Sequence, residues 1–222
     1  MLHGCVRMCL EMRKNMYKIY QMDTKRLEPP EIFRSCYEEV SKERRQKVDS
    51  FRGMKDRRLS LAAGVLFNQG LKEYGLSGDK VRLAEGENGK PYLLDYPDIY
   101  FNISHSAQKV LVVFSDVEIG CDIEYAADLQ GLGLAEKFFC ASEYAYLLQQ
   151  KEKEQTAAFY RLWTLKESFL KATGLGLKLS LDKFCIRMGE EIQVEQQVDK
   201  KSYSLKEWRD GEYQAAVCMR KG

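Results

Sequence analysis

The sequence predicts an α+β protein made of two halves with similar architecture, joined near residues 117–120. Three observations support this fold class. Apolar residues follow helical spacing in some segments and a period of two in others, so both helices and strands occur. Each half is predicted to run from a strand through helices to further strands. The final strands should be antiparallel, because Asp210-Gly211 is typical of a hairpin turn.

The first half is predicted to contain a short strand at residues 17–22, followed by a largely helical segment at 31–48. Apolar residues recur at helical spacing over 59–74, and Asp56 is the expected N-cap of that helix. The continuous apolar run at 110–114 is typical of a buried strand.

The second half is predicted to open with a strand over residues 117–124, where apolar and acidic or small residues alternate. The alternation predicts that the apolar set faces the core and the acidic set faces out. Helices are expected at 142–150 and 152–173. The four strands expected after them lie near residues 184–188, 191–198, 202–208 and 212–219.

Composition indicates a folded protein rather than a disordered or fibrous one. The chain has 222 residues, of which 45% are hydrophobic and 31% are charged. Its net charge of +2 is too balanced for a protein that coats nucleic acid, so no nucleic-acid partner is expected. No apolar run reaches the roughly 18 residues of a membrane span. Residues 1–15 lack the apolar core of a signal peptide and are expected to form a loosely ordered extension.

The cysteines indicate a reducing compartment. There are seven of them, and none forms a CxxC pair. An odd number without paired spacing argues against a disulfide framework and against a zinc site. Buried, reduced thiols and a cytoplasmic location are therefore expected.

Two groups of charged residues are candidates for chemistry. Asp122 and Glu124 lie two apart on a predicted strand, so their carboxylates share a side and suit Mg²⁺, although an exposed strand face would show the same pattern. Glu167 and Lys171 lie four apart on a predicted helix, one turn after Trp163. They could form an ordinary surface ion pair. Alternatively, Glu167 could be a third metal ligand and Lys171 could neutralise the charge of a phosphate.

Several other residues could meet an anion. His105 is flanked by hydroxyl groups and is equally compatible with a structural role. The turn Gly86-x-x-Gly89-Lys90-Pro91 is not a P-loop, yet its lysine could contact a phosphate. The segment 42–58 carries eight Lys and Arg residues, which form either a solvated face or a site for phosphates or an acidic partner.

Taken together and in this order, the motifs resemble those of the Sfp-type 4′-phosphopantetheinyl transferases. The resemblance covers most of the chain, from about Met16 to the last strands. The matching segments are GENGKPYL at 86–93, FNISHS at 101–106, IGCDIE at 119–124, FFCASEY at 138–144 and FYRLWTLKESFLKATGLGL at 159–177.

The resemblance implies a pseudo-twofold pair of α+β halves, each a small antiparallel sheet packed on helices, with coenzyme A bound in the cleft between them. The halves would be residues 16–118 and 119–222. The implied activity is of the holo-[acyl-carrier-protein] synthase type. The enzyme would transfer 4′-phosphopantetheine from coenzyme A to a serine of an acyl- or peptidyl-carrier protein and release 3′,5′-ADP. The carriers of fatty acid, polyketide and nonribosomal peptide biosynthesis are candidates, and a monomer is expected.

The resemblance also implies a role for each candidate residue. Asp122, Glu124 and Glu167 would bind Mg²⁺, and Glu167 is the favoured general base for the carrier serine. Lys171 would contact the phosphate that is transferred. The residues expected to bind coenzyme A phosphates are Arg44, Lys47, Lys90, Ser104, His105 and Lys171. Two other functions stay open: a coenzyme A-binding protein without transferase activity, and an unrelated Mg²⁺-dependent phosphohydrolase.

Overall fold

The computed structural model describes residues 6–11, 16–126 and 131–222, and these form two compact units. The first unit comprises the chain up to Glu85 together with Pro91–Asp116, and the second comprises Gly86–Lys90 together with Val117–Gly222. The main boundary between the units lies between Asp116 and Val117. No helix in the described residues is long and apolar enough to cross a membrane.

The first unit is built on a four-stranded antiparallel sheet with the strand order β1-β2-β6-β5. Its strands are β1 (Val6–Glu11), β2 (Met16–Asp23), β3 (Leu83–Glu85), β4 (Pro91–Leu93), β5 (Tyr100–Ser106) and β6 (Lys109–Ser115), of which β3 and β4 form a separate hairpin. Its helices are α1 (Pro30–Glu39), α2 (Lys42–Ser50) and α3 (Met54–Lys72). The apolar face of α3 packs on β2 and β6 and forms the core of this unit.

The second unit is built on a three-stranded antiparallel sheet with the strand order β10-β11-β7. Its strands are β7 (Ile119–Tyr125), β8 (Phe184–Arg187), β9 (Gln193–Gln196), β10 (Tyr203–Asp210) and β11 (Tyr213–Arg220). Its helices are α4 (Gly131–Phe138), α5 (Ala141–Leu148) and α6 (Glu152–Thr173). The long helix α6 packs on β7 and β11, so each unit has one long helix on an antiparallel sheet. This confirms the predicted α+β class.

The structure differs from the sequence-based predictions at several elements. Helix α3 begins at Met54 with Gly53 as its N-cap, and Asp56 lies in its first turn, where a carboxylate is also favourable. The segment FNISHS, for which no strand was predicted, forms most of β5. Helix α4 was not predicted, because its two glycines weaken the helical signal. Within the expected extension 1–15, residues 6–11 form β1, which pairs with β2, and the rest lies outside the described residues.

Cys140 and Cys185 form a disulfide bond, so the prediction that the cysteines are reduced is wrong for this pair. The two residues are 45 apart in sequence, and only the fold brings their Cα atoms to 5.8 Å. Cys36, Cys121 and Cys218 are free and buried, as expected.

Candidate active site

The candidate site lies where strand β7 meets helix α6. Alternate residues of a strand share one side, so Gly120, Asp122 and Glu124 point the same way. A Cβ atom at Gly120 would lie 2.2 Å from both the Ser168 carbonyl oxygen and the Ala172 amide nitrogen of α6. Only a residue without a side chain permits this approach, and the acidic side of β7 therefore faces the helix.

This packing corrects one prediction about β7. The acidic set was expected to face out, but Asp122 is only 2% exposed. Both sides of the strand are covered, because Ile119, Cys121 and Ile123 are fully buried on the other side. Glu124 lies one step further along and is half-buried. An acidic residue buried in this way must be compensated by a neighbouring charge.

Helix α6 supplies that charge. Trp163, Glu167 and Lys171 recur every four residues and share one half-buried face of the helix. The Lys171 ammonium donates to Asp122 Oδ1 at 2.6 Å. Trp163 packs against the Phe139 ring, with the ring centroids 6.3 Å apart.

The electrostatics show that the two carboxylates influence each other. Burial raises the pKa of Glu167, the charge of Asp122 raises it further, and Lys171 partly opposes both effects. For Lys171, burial lowers the pKa, but Asp122, Cys121 and Glu167 together raise it by more, so the net pKa is raised. The site thus holds one lysine between two acids that repel each other.

The predicted metal ligands Asp122, Glu124 and Glu167 all belong to β7 and α6. No three or more His, Cys, Asp or Glu side chains within the described residues are already grouped to hold a metal ion. The structure does bring together Asp122 of β7 and Glu167 of α6, and a cation would relieve the repulsion between them. Glu124 lies on the same side of β7 as Asp122. Three carboxylates supply the hard oxygen ligands that Mg²⁺ prefers, so the residues present fit this metal.

A second, buried ion pair forms between Lys166 of α6 and Glu143 of α5. Lys166 donates to both carboxylate oxygens of Glu143 at 2.7 Å and to the Phe184 carbonyl oxygen at 2.8 Å. Glu143 also accepts from the backbone N–H groups of Cys140 at 2.9 Å and Ile186 at 2.6 Å. Sequence reasoning missed this pair, although FFCASEY and the segment containing Lys166 had both been singled out.

In the first unit, the predicted coenzyme A residues on α2 differ in exposure. Lys47 is exposed, whereas Arg44 is half-buried and burial lowers its pKa. The Arg44 side chain crosses α3 at Gly64, where a Cβ atom would lie 2.6 Å from Arg44 Cγ. Ser60 lies one turn earlier on α3 and is buried, and its hydroxyl has no hydrogen-bond partner among the described residues. The sequence analysis missed Ser60, and a hydroxyl in an apolar helix was the available signal.

Strand β5 presents its two candidate residues to opposite sides. Ser104 is buried and His105 is exposed, as expected for neighbours on a strand. The structure therefore does not bring these two side chains together on one face.

Lys90 belongs to the second unit, in the loop Gly86–Lys90. Its ammonium donates to the Ile119 carbonyl oxygen at 2.9 Å and to the Ala172 carbonyl oxygen at 3.2 Å. Burial lowers its pKa to about 8. The predicted phosphate-binding lysine is thus already hydrogen-bonded to the backbone of β7 and α6.

Comparisons with known proteins find matches in both units of the chain. The model of the 4′-phosphopantetheinyl transferase N-terminal domain matches residues 29–116, and that of the 4′-phosphopantetheinyl transferase superfamily matches residues 118–218. The chain is similar to the 4′-phosphopantetheinyl transferases ffp and Sfp of Bacillus subtilis, with 38% and 37% identity over 187 residues, or 81% of each chain. It is 36% identical to psf-1 of Bacillus pumilus over 190 residues, which is 82% of this chain and 79% of that protein.

One solved structure that matches part of the chain is the holo-[acyl-carrier-protein] synthase of Thermotoga maritima. The match has a TM-score of 0.42 and 20% identity, and it covers 47% of this chain and 63% of that one. The family assignment rests on the sequence matches, which extend over both units. The chain belongs to the 4′-phosphopantetheinyl transferase superfamily and, within it, to the Sfp type.

Proposed function

We propose that this protein transfers the 4′-phosphopantetheine group of coenzyme A to a serine of an acyl- or peptidyl-carrier protein, with Mg²⁺, and releases 3′,5′-ADP. The observation that carries this proposal is the group formed by Asp122, Glu167 and Lys171, found in a chain of this family. Two acids and a lysine side by side are suited to a substrate that brings both a diphosphate and a divalent cation.

The reaction forms a bond between the serine oxygen and the β-phosphorus of coenzyme A and breaks the phosphoanhydride bond. The electron pair of that bond leaves with 3′,5′-ADP, and Glu167 takes the serine proton, directly or through a water. In the metal-free site, burial and Asp122 raise the pKa of Glu167. A bound cation would lower it, so the base role depends on precise geometry more than on basicity. Lys171 stabilises the charge that develops on the phosphate oxygens.

Asp122, Glu124 and Glu167 would hold Mg²⁺, which neutralises charge on the diphosphate as the bond opens. In the structure, Lys171 is the cation beside Asp122. If Mg²⁺ were bound at Asp122, the Lys171 ammonium would be available to a phosphate oxygen. The Asp122 carboxylate would thus contact either the Lys171 ammonium or the metal ion.

The phosphates of coenzyme A need further cations and donors. We assign this role in the first unit to Arg44, Lys47, Ser104 and His105, and add Ser60. Arg44 and Ser60 are the best supported, since Arg44 is a half-buried cation and the Ser60 hydroxyl lacks a hydrogen-bond partner. Lys90 is left out of this set, because its ammonium already donates to two carbonyl oxygens.

The protein partner of the reaction is a carrier. Carrier proteins are usually acidic, and the basic segment 42–58 would steer their association. A monomeric state and a cytoplasmic location stay predictions of the sequence.

Intact mass spectrometry of a panel of apo-carrier proteins, incubated with the protein, coenzyme A and Mg²⁺, tests the proposal. A carrier that is a substrate should gain about 340 Da, the mass of one phosphopantetheine. The gain should vanish with EDTA and with Glu167→Gln, whereas Glu154→Gln, an exposed position on the same helix, should keep it.

Three results would contradict the proposal. Wild-type turnover by Glu167→Gln would show that the base and metal assignments are wrong. Cleavage of coenzyme A with no carrier modified would indicate a phosphohydrolase, and binding of coenzyme A without any transfer would indicate a binding protein.

A further inference from the structure

The C-terminal end of α6 depends on hydrogen-bond donors from outside the helix. The last carbonyl groups of any helix have no donor in the next turn. In α6, the Gly174 N–H donates to the Leu170 carbonyl oxygen, but the carbonyls of Ala172 and Gly174 need other partners. These carbonyls lie just beyond Lys171, so their order affects the position of that lysine.

Two side chains of the loop Gly86–Lys90 supply the missing donors. Asn88 Nδ2 donates to the Gly174 carbonyl oxygen at 3.0 Å, and the Lys90 ammonium donates to the Ala172 carbonyl oxygen at 3.2 Å. These donors come from residues more than 80 positions away in sequence. A cation at this end of a helix is also favoured by the helix dipole.

Lys90 connects the helix to the strand as well. Its ammonium donates to the Ile119 carbonyl oxygen of β7 at 2.9 Å, next to the residue at which β7 and α6 touch. One ammonium group therefore joins the two elements that carry Asp122, Glu167 and Lys171. Burial lowers the pKa of Lys90, as expected for an ammonium held among backbone carbonyls rather than in water.

We propose that Lys90 and Asn88 are positioning residues that cap α6 and tie it to β7, and that Lys90 does not act as a ligand of coenzyme A phosphate. They hold Lys171 and Glu167 beside Asp122. The expected effect on catalysis rests on the proposed transferase function, whereas the cap itself is a property of the chain without any substrate.

The test uses Lys90→Met and Asn88→Ala, with Lys178→Met as the matched control. Lys178 faces Glu87 of the same loop at 3.7 Å, but both side chains are largely exposed, so this pair should contribute little. The first measurement is amide hydrogen exchange over residues 170–176, without coenzyme A or metal. The second is the pair of constants kcat and KM for coenzyme A.

We expect Lys90→Met and Asn88→Ala to speed exchange at the end of α6 by about three- to tenfold, the value of one lost hydrogen bond. Transfer should then lose kcat with little change in KM for coenzyme A, because no phosphate contact is removed. Lys178→Met should match the wild type in both measurements.

Exchange at the wild-type rate in Lys90→Met and Asn88→Ala would overturn the proposal. A rise in KM alone for Lys90→Met would do so too, since it would show Lys90 to be a phosphate ligand. If Lys90→Met does not fold, Asn88→Ala alone decides, because it removes a cap without removing a charge. If the wild type transfers nothing, the proposed function fails, while exchange still reports on the cap.

Discussion

Replacing Lys166 by methionine should strongly destabilise the second unit. The Lys166 and Glu143 side chains are both 0% exposed, so the substitution leaves a fully buried carboxylate without its counter-ion. Methionine fills a similar volume, which limits the effect of packing. The change therefore isolates the electrostatic cost, with a lost hydrogen bond to the Phe184 carbonyl oxygen in addition.

The size of the stability loss depends on the hydrogen bonds that Glu143 keeps after Lys166 is replaced. Glu143 keeps two backbone N–H donors, those of Cys140 and Ile186, and these satisfy only part of its charge. Breaking a buried pair by removing one partner costs about 3–5 kcal/mol. Urea unfolding followed by tryptophan fluorescence measures this loss locally, because both tryptophans, Trp163 and Trp208, lie in the second unit.

A second variant separates charge from packing. Adding Glu143→Gln to Lys166→Met removes the uncompensated charge but keeps an acceptor for the backbone N–H groups, so the double variant should recover part of the stability. A loss below about 1 kcal/mol for Lys166→Met would refute this reasoning. So would a double variant less stable than the single one.

Three further predictions concern the same unit. Gly120→Ala places a Cβ atom 2.2 Å from the Ala172 amide nitrogen and should cost about 1–3 kcal/mol in urea unfolding, so wild-type stability would contradict the close approach of β7 and α6. Burial lowers the pKa of Lys90 from its ordinary 10.5 to about 8. Between these values the unfolded chain binds a proton that the native protein lacks, so stability relative to Lys90→Met should rise with pH, by on the order of 3 kcal/mol. A stability difference between the wild type and Lys90→Met that does not change from pH 8 to 10.5 would contradict this prediction. Reduction of the Cys140–Cys185 bond, with its sequence separation of 45, should cost about 4 kcal/mol, and Cys140→Ser should not respond to reductant.

Most elements of the fold were predictable from local pattern. Helix α6 has the predicted bounds, Glu152–Thr173, because its apolar spacing is long and a left-handed Gly174 ends it. The hairpin at Asp210-Gly211 joins β10 and β11 as expected. The errors lie where the local signal is weak or ambiguous, as in α4, or where a neighbouring residue takes the capping position, as Gly53 does.

The candidate site was predicted less completely. The spacing of Asp122 with Glu124, and of Glu167 with Lys171, places each pair on one side of its own element. That these sides face each other depends on how β7 packs on α6, which spacing does not contain. For this reason the sequence analysis expected Asp122 to face out, whereas α6 buries it beside Lys171.

The sequence by itself determined the fold class, the order of the elements and the family, because periodicity, turns and ordered motifs are local properties of the chain. The tertiary structure alone decided which charges are paired. Lys90 and Ala172 are 82 residues apart, and Lys166 and Glu143 are 23 apart. No local pattern joins residues at such separations, since burial of apolar faces brings them together and then requires each buried charge to find a partner.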